Sequence, residues 1–366
     1  MATLSQATSA TRGLLKWAAI AFAVFLVIRL ILFPLGKSLF LTFFPPKPPP
    51  PTTAFGKLPK IPFPEKQALA NLTYTIQTTT GFLPPTCPVN LCAENTNPTQ
   101  PVAIPDQFSV FAVIPKQAVF SSYDVIKQKV GAIGFLGEGT QLSPTSYVWK
   151  HPKNEEKQIT FDTTTQSFTL TSNLASATTG NQPPPGSEAT TIAKTFLGAM
   201  ALLPNDLDDD KTAVTFLKLK NGQLTEATSL SEATFVQVDF YRNLLSRTPI
   251  VYPNPQQSLL SFLIQTDPDK KGIVAQAHYS YKLTDENNPS TYPIKTAREA
   301  FEELQQGKAY IPASIVGGKQ TIAIQRVYLG YYEGSDKLPY FLPVFVFEGD
   351  GGFLALVEAV RDGWLE

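Results

Sequence analysis

The residues from Trp17 to Phe33 constrain this chain more than any other segment. They read WAAIAFAVFLVIRLILF, and 16 of these 17 are apolar, Arg29 being the exception. A membrane-spanning helix needs about 20 predominantly apolar residues, with a range of about 17–25. Apolar character resumes after Pro34, Gly36 and Lys37 in LFLTFF and ends at Phe44. A cleaved signal peptide has a shorter apolar core of about 7–15 residues, followed by small residues at its cleavage site. Here Phe33-Pro34-Leu35-Gly36-Lys37 follows instead. An uncleaved signal anchor over 17–44 is therefore expected, with residues 1–16 as a cytoplasmic tail. The tail is short, and the following mass is rich in proline, threonine and asparagine. That places a single-pass protein in the cell membrane, with the bulk of the chain extracytoplasmic. Lysines on both sides of the span leave the positive-inside count undecided.

Arg29 falls near mid-span. A charge at that depth costs about 2.5–3.5 kcal/mol on insertion scales. Two accounts stay open: the side chain snorkels, or it contacts a carboxylate on a partner membrane helix. Elsewhere the charge is balanced, with 30 Lys+Arg against 30 Asp+Glu. Such a balance excludes a strongly basic nucleic-acid binder, which needs a positive face to neutralise phosphates. The expected partners are the lipid bilayer and a membrane or envelope protein, with no nucleic acid.

Residues 45–65 form a proline-rich stretch, with nine prolines between Pro45 and Pro64. Proline runs favour polyproline II and act as semi-rigid spacers. A stalk between the span and the ectodomain is expected there. Cys87 and Cys92 are the two cysteines, in Thr86-Cys-Pro-Val-Asn-Leu-Cys92. Four intervening residues allow a small disulfide loop in an oxidising compartment. Two free thiols, or half of a metal site, are the alternatives. The spacing is not the CxxC of redox enzymes.

From about residue 66 the pattern is that of an α+β chain: helices packed on antiparallel sheets. Helices are predicted over about Ser122–Ile133, Ser187–Leu203 and Thr296–Gln306. Thr296 and Glu299 have capping-box spacing, and Gly307 fits the C-terminal stop. Ile192, Phe196, Leu197, Met200 and Leu203 mark the buried stripe of the second helix. A hairpin is predicted around Asp162–Thr165, and strands over Leu72–Thr79, Phe108–Ile114, Ala213–Leu219, Thr234–Tyr241 and Ile273–Leu283. In the last of these, Ile273, Ala275, Ala277, Tyr279, Tyr281 and Leu283 alternate onto one face. Late strands cover Thr321–Leu329, Phe341–Phe347 and Phe353–Val360. NQPPPG at Asn181–Gly186 is a boundary signal, dividing a first α+β unit (66–180) from a second (187–366). Asp285–Pro289 is another such signal.

In the C-terminal half, Tyr241–Ile250 is followed by strands and then by the helix carrying Ala300 and Leu304. Leu329-Gly330-Tyr331-Tyr332, Leu338-Pro339 and Pro343-Val344-Phe345 come next. In this order, residues 188–360 resemble the YycH/YycI-type regulatory proteins and the broader PepSY-like α+β domains. The resemblance implies an extracytoplasmic domain on one N-terminal transmembrane helix, acting on a membrane sensor kinase without catalysis. Ala54-Phe-Gly-Lys-Leu-Pro59 with Ile61-Pro-Phe-Pro64 is similar to the stalk of uncharacterised membrane-anchored proteins of candidate-phyla bacteria.

Residue types that carry chemistry are sparse. His151 lies in a polar turn and His278 on the polar face of a strand, neither beside a nucleophile in an activating motif. Asp206, Asp208, Asp209 and Asp210 form an acidic stretch without the glycine and closing glutamate of a calcium loop. It is expected to be a solvated loop after the second helix. The glycines of Gly131–Gly139 follow a helix and fit no phosphate-binding fingerprint. Glu348–Gly352 is a predicted hairpin turn. Tyr331, Tyr332 and Tyr340 belong to an aromatic-rich stretch that packs a core or presents a binding surface. The expected protein is thus a non-catalytic binding or regulatory protein with no metal or cofactor. A passive structural or surface-display envelope protein is the alternative.

Overall fold

The structure, a computed structural model, describes residues 49–64, 72–76, 104–114, 122–176, 182–254, 258–267, 269, 271–312, 321–334 and 338–366, together with Trp17, Phe22, Phe25 and Arg29. Two compact units are Met1–Pro50 and Pro51–Glu366. In the first, Trp17, Phe22, Phe25 and Arg29 are helical and exposed. Most of the expected anchor lies outside the described residues. Among the described residues no helix is long and apolar enough to cross a membrane.

The second unit is α+β. Among its described residues the α-helices are α1 (Ser122–Ala132), α2 (Gly186–Ala199) and α3 (Ala297–Gln305). All three fall where the 3.6-residue pattern predicts them. The capping box of α3 is formed: Thr296 accepts from the Glu299 backbone N–H, and the Glu299 carboxylate accepts from the Thr296 N–H. On α2 the deepest residues are Ala189, Ala193 and Leu197, joined by Met200 at its C-cap, while Ile192 and Phe196 flank them half-buried. Leu203 lies past the helix end and is exposed.

The first sheet has nine strands, all antiparallel to their neighbours. Their order is β3 (Thr140–Gln141), β4 (Ser146–His151), β5 (Asn154–Asp162), β6 (Phe168–Thr171), β12 (Gly272–Tyr279), β11 (Leu260–Thr266), β9 (Phe235–Arg242), β7 (Leu207–Lys220) and β8 (Gln223–Glu226). Helices α1 and α2 cover one face, burying Phe161, Phe168, Val238, Phe240 and Phe262. NQPPPG lies between β6 and β12 in sequence, yet these strands pair. It is a connection within this sheet, and the sheets do not divide the chain there.

The expected face of β12 is altered by a bulge. Leu263 on β11 faces Gln276 and Ile264 faces Val274, so Ala275 is the extra residue. A bulge reverses alternation on one side of itself. Val274, Ala277 and Tyr279 consequently share the helix-covered core. Regular pairing ends at Tyr279, which takes Tyr281 and Leu283 out of the strand.

The second sheet has seven strands, in the order β1 (Thr73–Ile76), β14 (Thr321–Tyr332), β15 (Tyr340–Gly349), β2 (Gln107–Ala112) and β13 (Ser290–Pro293). The short β10 (Ile250–Val251) pairs with β14, and β16 (Leu354–Glu358) pairs with β15. Apart from the short β10, which lies between β9 and β11, its strands come from both ends of the unit, and the nine-stranded sheet is inserted between them in sequence. Asp285–Pro289, the second boundary signal, lies where the chain returns to the seven-stranded sheet at β13.

At the centre of this sheet, β15 is buried from Phe341 through Phe347. Such continuous apolar runs belong to strands covered on both faces. Phe345 and Phe347 pack with Ala300, Phe301 and Leu304 of α3. Leu342, Val344 and Val346 face the other way, against Leu58 and Ile61. The segment expected to be a free stalk thus supplies a layer of the fold.

Phe345 is fully buried, whereas Leu142 is 60% exposed. Phe345→Ala is expected to lower unfolding stability by about 3–5 kcal/mol. Leu142→Ala should stay within about 0.5 kcal/mol of the parent. Denaturant titration of both variants checks the pair.

Candidate functional site

Residues 51–64 run as a strap across the second face of the seven-stranded sheet. Phe55 and Phe63 are half-buried, and Leu58 and Ile61 are buried. Phe55, Leu58 and Ile61 are three residues apart, the repeat of a polyproline II chain. Turns interrupt that form, with positive φ at Thr53 and Gly56.

The strap is recognised by rings and by main-chain bonds. Phe55 stacks on Tyr340 at 5.1 Å. Phe63 stacks on Tyr310 at 5.2 Å and meets the edge of Tyr332 at 5.1 Å. Ala54 N–H donates to Ser290 Oγ at 2.7 Å, and Thr53 N–H to the Thr291 carbonyl at 3.0 Å. Leu58 N–H donates to the Trp364 carbonyl at 2.8 Å, and Glu366 N–H returns a bond to the Leu58 carbonyl at 2.9 Å. The Tyr292 hydroxyl donates to the Gly56 carbonyl at 3.0 Å. Ile61 N–H donates to the Glu358 carboxylate, whose pKa burial raises above its ordinary value. These are the elements with which proteins recognise proline-rich peptides: aromatic-lined grooves and a few directed hydrogen bonds.

The second feature lies where the two sheets meet. Arg242 ends β9, Glu333 follows β14, and Asp206 precedes β7. The Arg242 side chain is 4% exposed. Its Nε and Nη2 donate to Asp206 Oδ2, each at 2.8 Å. Its Nη1 donates to Glu333 Oε1 at 3.2 Å, and its Nη2 also to Thr284 Oγ1 at 3.3 Å. The guanidinium lies 4.6 Å from the centre of the Tyr281 ring and 5.2 Å from that of Phe341. Lys282 Nζ adds a bond to the Gly334 carbonyl at 3.2 Å.

Burial opposes the charge on Arg242, but the Glu333 and Asp206 carboxylates outweigh it and hold the group above its ordinary value. Burial pushes Glu333 up, and its Oε2 is buried without a hydrogen-bond partner. Beside this cluster opens a cavity of about 600 Å³, bounded by Asp206, Arg242, Tyr281 and Leu283 among others.

The sequence-predicted residues divide between these places. Tyr331 and Tyr332 are each 1% exposed. Tyr331 packs against Phe108 and Phe111, and its hydroxyl donates to the Ser109 carbonyl, so it belongs to the core. Tyr332 is buried against Phe63 of the strap, and Tyr340 is half-buried with Phe55 stacked on it. Cys87 and Cys92 lie outside the described residues. His151 meets the edge of Phe135 at 5.4 Å, and His278 is an exposed residue of β12. Gly139 lies against the Trp149 indole, where a Cβ would come within 2.5 Å of the ring.

The acidic stretch is not a loop: Asp208–Asp210 are in β7, whose pairing with β9 is irregular between Asp208 and Ala213. Among the described residues no group of three His, Cys, Asp or Glu side chains could hold a metal ion. Sequence reasoning missed Arg242 and Glu333. They are 91 positions apart and belong to no motif.

No protein-family model matches the chain, and neither does a curated protein. Among solved structures the chain is similar to an uncharacterized protein from Eubacterium rectale ATCC 33656. The two are 13% identical, with a TM-score of 0.40 over 70% of this chain and 85% of that one.

Two outcomes follow. Leu58→Ala, at a fully buried strap position, should cost about 2–5 kcal/mol of unfolding free energy and expose the peptide bonds of 51–64 to limited proteolysis. Glu333→Gln should flatten the pH dependence of stability. The raised folded-state pKa of Glu333 means its protonated form suits the fold. Its contribution is full below the unfolded value, about 4.3, and is lost as pH rises through the raised value. Urea unfolding measured between pH 4 and 8 distinguishes the parent from the variant.

Proposed function

We propose that this chain is a single-pass, membrane-anchored extracytoplasmic protein that acts by binding rather than catalysis, as an accessory to a sensor kinase or another envelope complex. The carrying observation is the apolar run of Trp17–Phe33, followed within 20 residues by a segment recognised by the folded unit. By chain order, whatever moves the span reaches the fold first through the strap. The resemblance of residues 188–360 to YycH/YycI-type proteins supports a regulatory role of this kind. Arg29 within the span gives the contact point for a partner helix, because intramembrane charges pair with one another or with polar groups.

The test uses the full chain in bacterial spheroplasts. Externally added protease should remove the ectodomain while the protein sediments with membranes after alkaline extraction. In-membrane cross-linking should capture a membrane protein that is lost when residues 17–44 are exchanged for an unrelated span. Release into the alkaline supernatant, or protection from external protease, would overturn the anchored extracytoplasmic role. Capture of envelope polymer alone would replace regulation with surface display.

A further inference from the structure

We infer that the cavity at the sheet junction is a binding site for a small primary ammonium compound with an apolar body, and that Asp206 is its acceptor. The inference stands on which charged groups remain available there. Arg242 is the cation of the wall, and its nitrogens are committed: Nε and Nη2 to Asp206, Nη1 to Glu333, and Nη2 again to Thr284. An incoming anion would have to displace Asp206 or Glu333 from the guanidinium, leaving a buried charge uncompensated.

Asp206 differs. Its side chain is 26% exposed. It accepts from Arg242 through Oδ2 and from the Tyr281 hydroxyl at 2.9 Å through Oδ1. A carboxylate has about four lone-pair sites, so these partners leave acceptor capacity facing the cavity. Glu286 on the rim is exposed and adds a second carboxylate. The ionisable groups of the lining are thus two carboxylates against one guanidinium whose donors are already engaged. A ligand rich in donors and positively charged fits it.

The remaining wall is mixed: Gln166, Asn205, Thr284 and Asn287 are neutral polar residues, and the others supply an apolar side. Leu203 and Leu283 are each 45% exposed and both border the cavity, with the Tyr279 and Tyr281 rings deeper. Sites of this kind bury a hydrocarbon body while a few fixed polar groups orient it.

The wall is also fixed before any ligand arrives. The Tyr279 hydroxyl donates to the Leu202 carbonyl at 2.8 Å, and Asn243 N–H donates to the Asp206 carbonyl at 2.7 Å. Lys129 Nζ donates to the Met200 carbonyl at 2.7 Å. The segment from Met200 to Asp206 is therefore held from α1, β12 and the end of β9, so little ordering is left for binding to do. Binding here requires nothing of the membrane anchor.

The test compares three probes that share a phenyl body and differ in the head group: 2-phenylethylammonium, 2-phenylethanol and phenylacetate. Each is titrated calorimetrically into the full chain at low salt. The ammonium probe should bind at least about tenfold more tightly than the alcohol, the difference a charged hydrogen bond makes. Phenylacetate should be the weakest of the three. Asp206→Asn should abolish the preference for the ammonium. Since Asp206 also braces Arg242, Leu283→Arg provides a second variant at an exposed rim position. It should block the cavity and remove binding with an unchanged circular dichroism spectrum. Equal affinity for the alcohol or the carboxylate, survival of binding in Leu283→Arg, or no heat from the ammonium probe at millimolar concentration would overturn the assignment.

Discussion

The two-sided burial of β15 is the constraint on which the seven-stranded sheet depends. Phe341 through Phe347 leave no polar face, so both sides must be covered. One cover is α3, whose short amphipathic stripe fits over Phe345 and Phe347. The other is not a helix or a sheet but the proline-rich strap. A strand of this kind left bare would expose a contiguous apolar patch and invite association. Prolines suit the covering segment because they lack N–H groups that would otherwise need partners. The N–H groups of Thr52, Thr53, Ala54, Leu58 and Ile61 find acceptors at Thr291, Ser290, Trp364 and Glu358.

The second constraint is electrostatic. The chain that leaves the nine-stranded sheet after β12 bonds to the end of β2 and the residues beyond it, with Ile114 N–H donating to the Leu283 carbonyl and Asp285 N–H to the Ala112 carbonyl. The Arg242 cluster lies between the two sheets. Asp206 comes from one sheet's side and Glu333 from the other, so the guanidinium meets both of its acid partners only when the sheets are correctly placed. Breaking such a buried pair costs about 3–5 kcal/mol because it strands a charge. The same cluster shapes the junction cavity. Structural and binding roles thus meet at Asp206, which braces Arg242 and still reaches solvent.

What was legible in the sequence was local. The capping box of α3 spans four residues and forms as its spacing predicts. The hairpin around Asp162–Thr165 is likewise a short-range signal: Asp162 Oδ1 accepts from the Thr164 and Thr165 N–H groups at 2.8 and 2.9 Å. The faces of β12 were not legible, because a bulge at Ala275 depends on the register of β11. Tyr331 and Tyr332 carry a pattern that suits a core or a surface equally, and only their neighbours decide. The strap's composition pointed to a spacer. Its role as a cover arises from β15, almost 300 residues later in the chain. The Arg242 cluster left no trace in the sequence, since its members are brought together by sheet topology alone.

Amide hydrogen exchange of the full chain, resolved to Leu58 and Ile61, tests the central claim that the proline-rich segment is part of the fold. The Ile61 amide donates to the Glu358 carboxylate at the end of β16, and the Leu58 amide to the Trp364 carbonyl in the turn that follows. They should exchange as slowly as the Leu356 amide on β16, through opening of the sheet itself. Exchange of Leu58 and Ile61 at the rate of an unstructured peptide, with Leu356 still protected, would show a free stalk and contradict the account.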